Sequence, residues 1–199
     1  MARPTSVPSR DDVRRRAIVD ELVPLFLAEG FLAFSLEDLA RRLGRSKSTL
    51  YAVAASKEQI ILATVREVFR RSTEAVEARV QAEPDPQRRI AVYLDAISDE
   101  LSPASPTYFA DIDAYEPARE VYRHNIRVAA QRVRDLVEES GQRRVAPRFV
   151  GTVVALVTEA IHRGEVEADT DLDDAAAFHQ LALLVGAAAQ SEPPVDRPS

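Results

Sequence analysis

The chain reads as an all-α protein, and three observations predict it. Apolar residues recur at helical spacing through nearly all of its 199 residues. No segment shows sustained alternation of apolar and polar positions with β-branched enrichment. Of twelve prolines, all but Pro24 fall in the tails or at proposed helix boundaries, where a missing N–H does no harm. About nine helices follow. They divide into a three-helix module over residues 1–56 and a larger helical part over 57–190, with a connecting helix over 57–80 and a disordered Pro-rich tail over 191–199.

The first helix spans about Asp11 to Glu29 with Ile18, Leu22, Leu25 and Phe26 on one face. Gly30 ends it as a left-handed cap, and Pro24 is expected to bend it. Ser35-x-x-Asp38 caps a short helix to Leu43, and Ser46 opens another from Lys47 to about Val53. Ser56 and Gln59 start the long connector, whose Ile60, Ile61, Val65, Val68, Phe69 and Val76 point inward. After Pro84-Asp85-Pro86 a helix carries Ile90, Tyr93, Leu94, Ile97 and Leu101. A short segment from Thr107 to Tyr115 leads to Pro117, which opens a long helix closing near Gly141. Two more helices span about Ala146 to Arg163 and Asp174 to Gln190, separated by Gly164 and the acidic turn Asp169 to Asp173.

An apolar content of 46% is enough for a core. No run approaches the apolar length of a membrane span, and the charged, Pro-containing N-terminus is not a secretory signal, so a cytoplasmic protein without membrane contact is expected. The absence of cysteine excludes disulfides, thiol catalysis and Cys-based metal sites. The net charge of −6 hides an asymmetry, because residues 1–60 hold ten Lys and Arg against eight Asp and Glu. A slightly basic head sits on an acidic body, and local charge is what matters for phosphate.

The informative stretch is Ser35-Leu-Glu-Asp-Leu-Ala-Arg-Arg-Leu-Gly-Arg-Ser-Lys-Ser-Thr-Leu-Tyr51, two short helices joined by a tight turn. Ala40 lets the helices approach, Gly44 supplies a positive φ, and Leu36, Leu39, Leu43 and Leu50 form a shared core. Such a helix-turn-helix presents its second helix to a major groove about 12 Å wide. Arg45, Ser46, Lys47, Ser48 and Thr49 can donate to base edges or phosphates, and Tyr51 can place its hydroxyl on a phosphate. Lys57 joins a cation to the free N–H groups of a helix N-terminus. Ser35 completes the candidate DNA-binding set.

Phe26-Leu-Ala-Glu-Gly-Phe31, Ser35-Leu-Glu-Asp-Leu-Ala40, Ser46-Lys-Ser-Thr-Leu-Tyr51 and Ser56-Lys-Glu58 resemble, in order and separation, the N-terminal domain of TetR/AcrR-family transcriptional regulators. The resemblance covers about fifty residues, Arg15 to Val65. It departs from the family pattern at Ala52-Val53-Ala54, where an aromatic or histidine pair is usual, at Arg45 after the turn glycine, and at Pro24. It implies a DNA-binding domain followed by an effector-binding and dimerisation domain. The implied function is a repressor released from a palindromic operator by a small hydrophobic effector.

The last two helices carry more apolar surface than one neighbour can cover. Phe149, Val150, Val153, Val154, Val157 and Ile161 lie on the first, with Phe178, Leu181, Leu184 and Val185 on the second. They suit either a central position in a monomeric bundle or a homodimer interface; the family resemblance implies the dimer. It also implies an effector site inside the body. Candidate lining residues are Tyr93, Ile97, Tyr108, Phe109 and Tyr122, and, further along, Asn125, Ile126, Ala129, Val153 and Val157. Effector identity, operator sequence and the direction of regulation are not readable from the residues.

No catalytic, cofactor or metal site is predicted. The histidines at 124, 162 and 179 are scattered, no phosphate-binding Gly-rich loop or His-Glu-x-x-His occurs, and Asp169-x-Asp171-x-Asp173-Asp174 lacks the glycine and glutamate of a calcium loop. That acidic run reads as the solvated turn and N-cap of the last helix. The alternative to a DNA-binding regulator is an interaction module of the same fold that has lost specific DNA binding.

Overall fold

The periodic apolar pattern folds into helices throughout a computed structural model that describes residues 10–51, 55–141 and 145–190. Among the described residues there are ten α-helices and no strand. They are α1 (Arg10–Glu29), α2 (Leu36–Arg42), α3 (Lys47–Tyr51), α4 (Lys57–Ala82) and α5 (Arg89–Leu101). There follow α6 (Pro106–Ala114), α7 (Glu116–Glu139), α8 (Pro147–His162), α9 (Glu165–Thr170) and α10 (Asp174–Gln190).

The helix not anticipated is α9, which lies where a turn was expected after Gly164. Its six residues, Glu-Val-Glu-Ala-Asp-Thr, bury nothing and carry too little apolar periodicity to announce a helix. Left-handed residues bound it, Gly164 at φ 71° and Asp171 at φ 58°. The expected N-cap of the last helix forms, as Asp173 Oδ1 accepts from Ala176 N at 2.8 Å. Pro24 is exposed within α1, which continues through it. The end of α3 expected near Val53 lies outside the described residues.

Packing divides the chain into two compact units. The first comprises Met1–Arg70 and Pro103–Val121; the second comprises Arg71–Ser102 and Tyr122–Ser199. The sequence boundary at 56/57 follows the helix-turn-helix, whereas packing divides α4 after Arg70 and puts α6 in the first unit. The reason is local. Ser105 N donates to Leu27 O at 2.8 Å, and the Asp111 carboxylate accepts from the backbone N–H groups of Phe31 and Leu32.

In the first unit Ile18, Leu22, Phe26, Phe31, Leu39, Leu50, Ile60 and Val65 form the core. An aromatic chain runs through it, with Phe26 to Phe31 at 5.7 Å between ring centroids and Phe31 edge-on to Tyr108 at 6.0 Å. In the second unit Ile90, Tyr93, Leu94, Val133, Leu136, Val150, Val154, Leu181 and Val185 pack together. A satellite of Ile161, Ala177 and Phe178 adjoins them through Ile97 and Val157. Gly151 permits the close approach of α8 to α7, because a Cβ there would lie 2.7 Å from the carbonyl oxygen of Ala130.

Candidate nucleic-acid interface

Two caps set the helix-turn-helix. Ser35 Oγ accepts from Asp38 N at 3.1 Å while Asp38 Oδ2 accepts from Ser35 N at 3.0 Å, the reciprocal box that starts α2. The far end closes as a Schellman motif around Gly44 at φ 60°. Arg45 N reaches Ala40 O at 2.8 Å and Gly44 N reaches Arg41 O at 3.2 Å. Ser46 then caps α3 through Thr49 N, 3.2 Å from its hydroxyl oxygen. Leu39, Ala40 and Leu50 are buried between α2 and α3, as the shared core requires, while Leu36 and Leu43 are half-buried.

These constraints leave Ser46, Lys47, Ser48 and Tyr51 exposed and Thr49 half-buried at the start of α3. Their side chains are already engaged with one another: Ser46 Oγ lies 2.7 Å from Ser48 Oγ and 2.8 Å from Thr49 Oγ1. Ser35 spends its hydroxyl on Asp38, to which it donates at 2.6 Å. That contact is the first cause holding the Asp38 carboxyl down at about 2, aided by Arg41. Lys57 donates to the backbone carbonyl of Leu32 at 2.8 Å and so ties the loop after α1 to the start of α4. Ser56 Oγ accepts from Gln59 N at 3.3 Å, but the Gln59 amide oxygen takes Ala55 N, one residue earlier than a reciprocal box would have it.

The cations are paired as well. Lys47 Nζ lies 2.7 Å from Glu37, Arg45 lies 2.5 Å from Glu21, and Arg42 makes a two-pronged bridge of 2.8 Å to Glu29. Arg41 meets Asp38 on the next turn of α2. The Lys47 ammonium pulls the Glu37 carboxyl below the ordinary carboxylate range, and Glu37 in turn raises Lys47. Spacing alone could not have revealed these partners, since Glu21 stands 24 residues from Arg45 and Glu37 ten from Lys47.

The candidate effector residues fall in both units. In the first, Tyr108 and Phe109 are buried and edge-on at 5.5 Å. In the second, Tyr93 is core and Ile97, Asn125, Ile126, Ala129, Val153 and Val157 are half-buried. Tyr122 hydrogen-bonds His162 Nδ1, and His162 stacks obliquely on Phe178 at 5.4 Å. Burial lowers the His162 imidazole to about 3, so the ring is neutral. Nothing in the local sequence around His162 points to Tyr122; only the fold brings the two together, forty residues apart.

The ten candidate interface residues also separate. Val154, Ile161 and Phe178 are turned into the core of a single chain, at 3%, 1% and 2% exposure. Phe149 and Leu184 stand out at 67% and 71%. They rim a groove of about 360 Å³ lined by Val150, Val153, Val157, Leu181 and Val185. Leu156 and Leu183 are exposed too. Among the described residues no cluster of three or more His, Asp or Glu could hold a metal ion, and no helix is long and apolar enough to cross a membrane.

Residues 18–64 match the model of the bacterial regulatory proteins of the tetR family. The chain is similar to the HTH-type transcriptional regulator BetI of Rhizobium meliloti, 25% identical over 126 residues, 62% of either chain. It is similar to the HTH-type transcriptional regulator EthR of Mycolicibacterium smegmatis, 34% identical over 89 residues, 44% of this chain and 41% of that one. The matches thus span less than two thirds of these relatives' lengths. The crystal structure of a TetR-family transcriptional regulator from Cytophaga hutchinsonii superposes with a TM-score of 0.70 at 18% identity, covering 90% of this chain and 96% of that one. This likeness extends the shared fold beyond the helix-turn-helix.

Proposed function

We propose that this chain, which belongs to the tetR family of bacterial regulatory proteins through its N-terminal domain, is a DNA-binding transcriptional regulator. It acts as a repressor on a palindromic double-stranded operator and leaves it when a small hydrophobic effector binds the body. The carrying observation is α3: an exposed row of Ser46, Lys47, Ser48 and Tyr51 standing on the buried Leu50, within the segment that matches the family. Such a row offers donors to base edges and phosphates. Arg45 and Lys57 supply nearby cations, and Ser35 contributes by fixing α2.

A homodimer supports this role. One head alone offers few contacts, and two heads on a two-fold axis read two half-sites at once. The groove rimmed by Phe149 and Leu184 is the surface a second copy would cover. Effector binding is favoured by the apolar, tyrosine-bearing interior of the body, with Tyr93 and Tyr122 as polar handles. A cytoplasmic setting accompanies a chromosomal target.

The test is retention of a duplex taken from upstream of the chain's own coding sequence, followed across a salt series. Binding should fall steeply between about 50 and 200 mM salt, as phosphate contacts are lost to counterions. Absence of retention at low salt for every fragment of that neighbourhood sinks the regulator reading and favours an interaction module of the same fold.

A further inference from the structure

The four cationic side chains between Ser35 and Tyr51 are Arg41, Arg42, Arg45 and Lys47, and each faces a carboxylate: Asp38, Glu29, Glu21 and Glu37 respectively. Within this segment each positive charge is therefore matched by a carboxylate. Two of the pairs belong to the scaffold. Asp38 caps α2, and Glu29 holds Arg42 at the end of α1 with two parallel bonds. The other two engage the residues that the groove-facing helix needs. Glu37 lies in the first turn of α2 and reaches across the turn to Lys47, the first residue of α3; Glu21 reaches from α1 to Arg45.

We infer that Glu37 and Glu21 are built-in anionic competitors that hold Lys47 and Arg45 away from phosphates and so limit how tightly the head binds any duplex. This rests on the DNA-binding reading above. Lys47 and Glu37 are 53% and 68% exposed, so the pair is held weakly and a duplex can draw the ammonium away. The carboxylates stay behind, facing the phosphates, and repel them. A random duplex offers nothing to offset that repulsion. A matched site does, because base-edge hydrogen bonds to Lys47, Arg45, Ser48 and Thr49 add to the phosphate contacts. The glutamates thus subtract from both kinds of binding, which leaves a random duplex weakly held while the base-edge contacts keep a matched site bound.

The experiment uses the full chain with Glu37→Gln, Glu21→Gln and the double substitution, titrated by fluorescence anisotropy at several salt concentrations. The probes are a random-sequence duplex and a duplex from upstream of its own coding sequence. Glutamine preserves shape, and Glu37 is exposed while Glu21 is half-buried in a water-accessible pair, so melting temperatures should stay close to the wild type. Each substitution should tighten binding to the random duplex about three- to eight-fold near 0.1 M salt, the effect of one further phosphate neutralised, with a steeper salt slope. Binding to the chain's own duplex should tighten by a similar factor, so that the ratio of the two affinities changes little. Glu167→Gln, an exposed position of α9 in the other unit, removes the same charge and should leave both affinities unchanged.

The inference is overturned if the wild type binds DNA and the substitutions do not tighten the random duplex, or if Glu167→Gln tightens it equally. It is also overturned if Glu37→Gln weakens only the chain's own duplex, since Glu37 would then be reading a base. If no variant nor the wild type retains any duplex at low salt, the DNA-binding reading itself fails.

Discussion

The Asp111 carboxylate on α6 accepts the backbone N–H of Phe31 at 2.5 Å and that of Leu32 at 2.8 Å, closing the end of α1 from eighty residues away. The two donors follow the last turn of α1 and lie where the chain leaves for α2. Substituting Asp111 by alanine leaves both partly buried and unsatisfied, at a cost of about 1–3 kcal/mol. For a chain of this size that lowers the melting temperature by roughly 2–4 °C per kcal/mol. Asparagine keeps an acceptor oxygen and should lose less. Amide exchange at Phe31 and Leu32 is the direct measurement: it should accelerate in Asp111→Ala, and unchanged protection would show the clamp to be idle.

Gly30 and Gly44 both adopt positive φ, at 77° and 60°, yet should not tolerate alanine equally. At Gly44 no atom lies within 4 Å of an added Cβ, so Gly44→Ala meets only the left-handed penalty of about 1–2 kcal/mol. At Gly30 the same carbon would stand 2.6 Å from Asp111 Oδ2 and 2.8 Å from Thr107 Cγ2. Gly30→Ala pays the backbone cost and also pushes the clamp open. Its denaturant midpoint should fall well below that of Gly44→Ala, and equal midpoints would contradict the geometry.

What could be read in advance was whatever depends on neighbours in sequence. The Ser35 box, the Gly44 turn, Ser46 and Asp173 as caps, and the buried faces of α1 and α4 all follow from spacings of three or four residues. What could not be read depends on how helices distant in sequence meet. Arg45 and Lys47 are cationic in composition, but only the fold shows them neutralised by Glu21 and Glu37. Phe178 and Leu184 belong to the same apolar helix, and its richness in apolar positions hides which one turns inward. Tyr108 and Phe109, grouped with the body by chain order, pack in the first unit because Ser105 and Asp111 anchor α6 to α1.

Burial of His162 beside Tyr122 and Phe178 makes the stability of the second unit depend on pH. The folded ring is held at about 3 whereas an unfolded one protonates near its ordinary 6.5, so between these values the unfolded chain binds the extra proton. The contribution of His162 is therefore complete above about pH 6.5 and declines as pH falls toward 3. The melting temperature should drop between pH 7 and pH 5, and His162→Gln, which retains a polar group for Tyr122 but does not titrate there, should flatten the decline. Parallel profiles for the two proteins would exclude His162 as the source.

Leu184 and Phe178 separate an exposed apolar position from a core one within the single helix α10. Leu184 is 71% exposed and rims the apolar groove, whereas Phe178 is 2% exposed beneath His162. A carboxylate at Leu184 stays in water in an isolated chain, so Leu184→Glu should change its intrinsic stability by no more than about 0.5 kcal/mol. Pressed against a second copy, the same carboxylate would be desolvated without a partner, a cost of several kcal/mol across a two-fold axis that repeats it. Sedimentation should find the wild type as a dimer and Leu184→Glu as a folded monomer, with DNA retention weakened because one head is left to bind alone. Phe178→Glu should instead unfold the second unit. A Leu184→Glu protein of dimer mass would move the interface elsewhere.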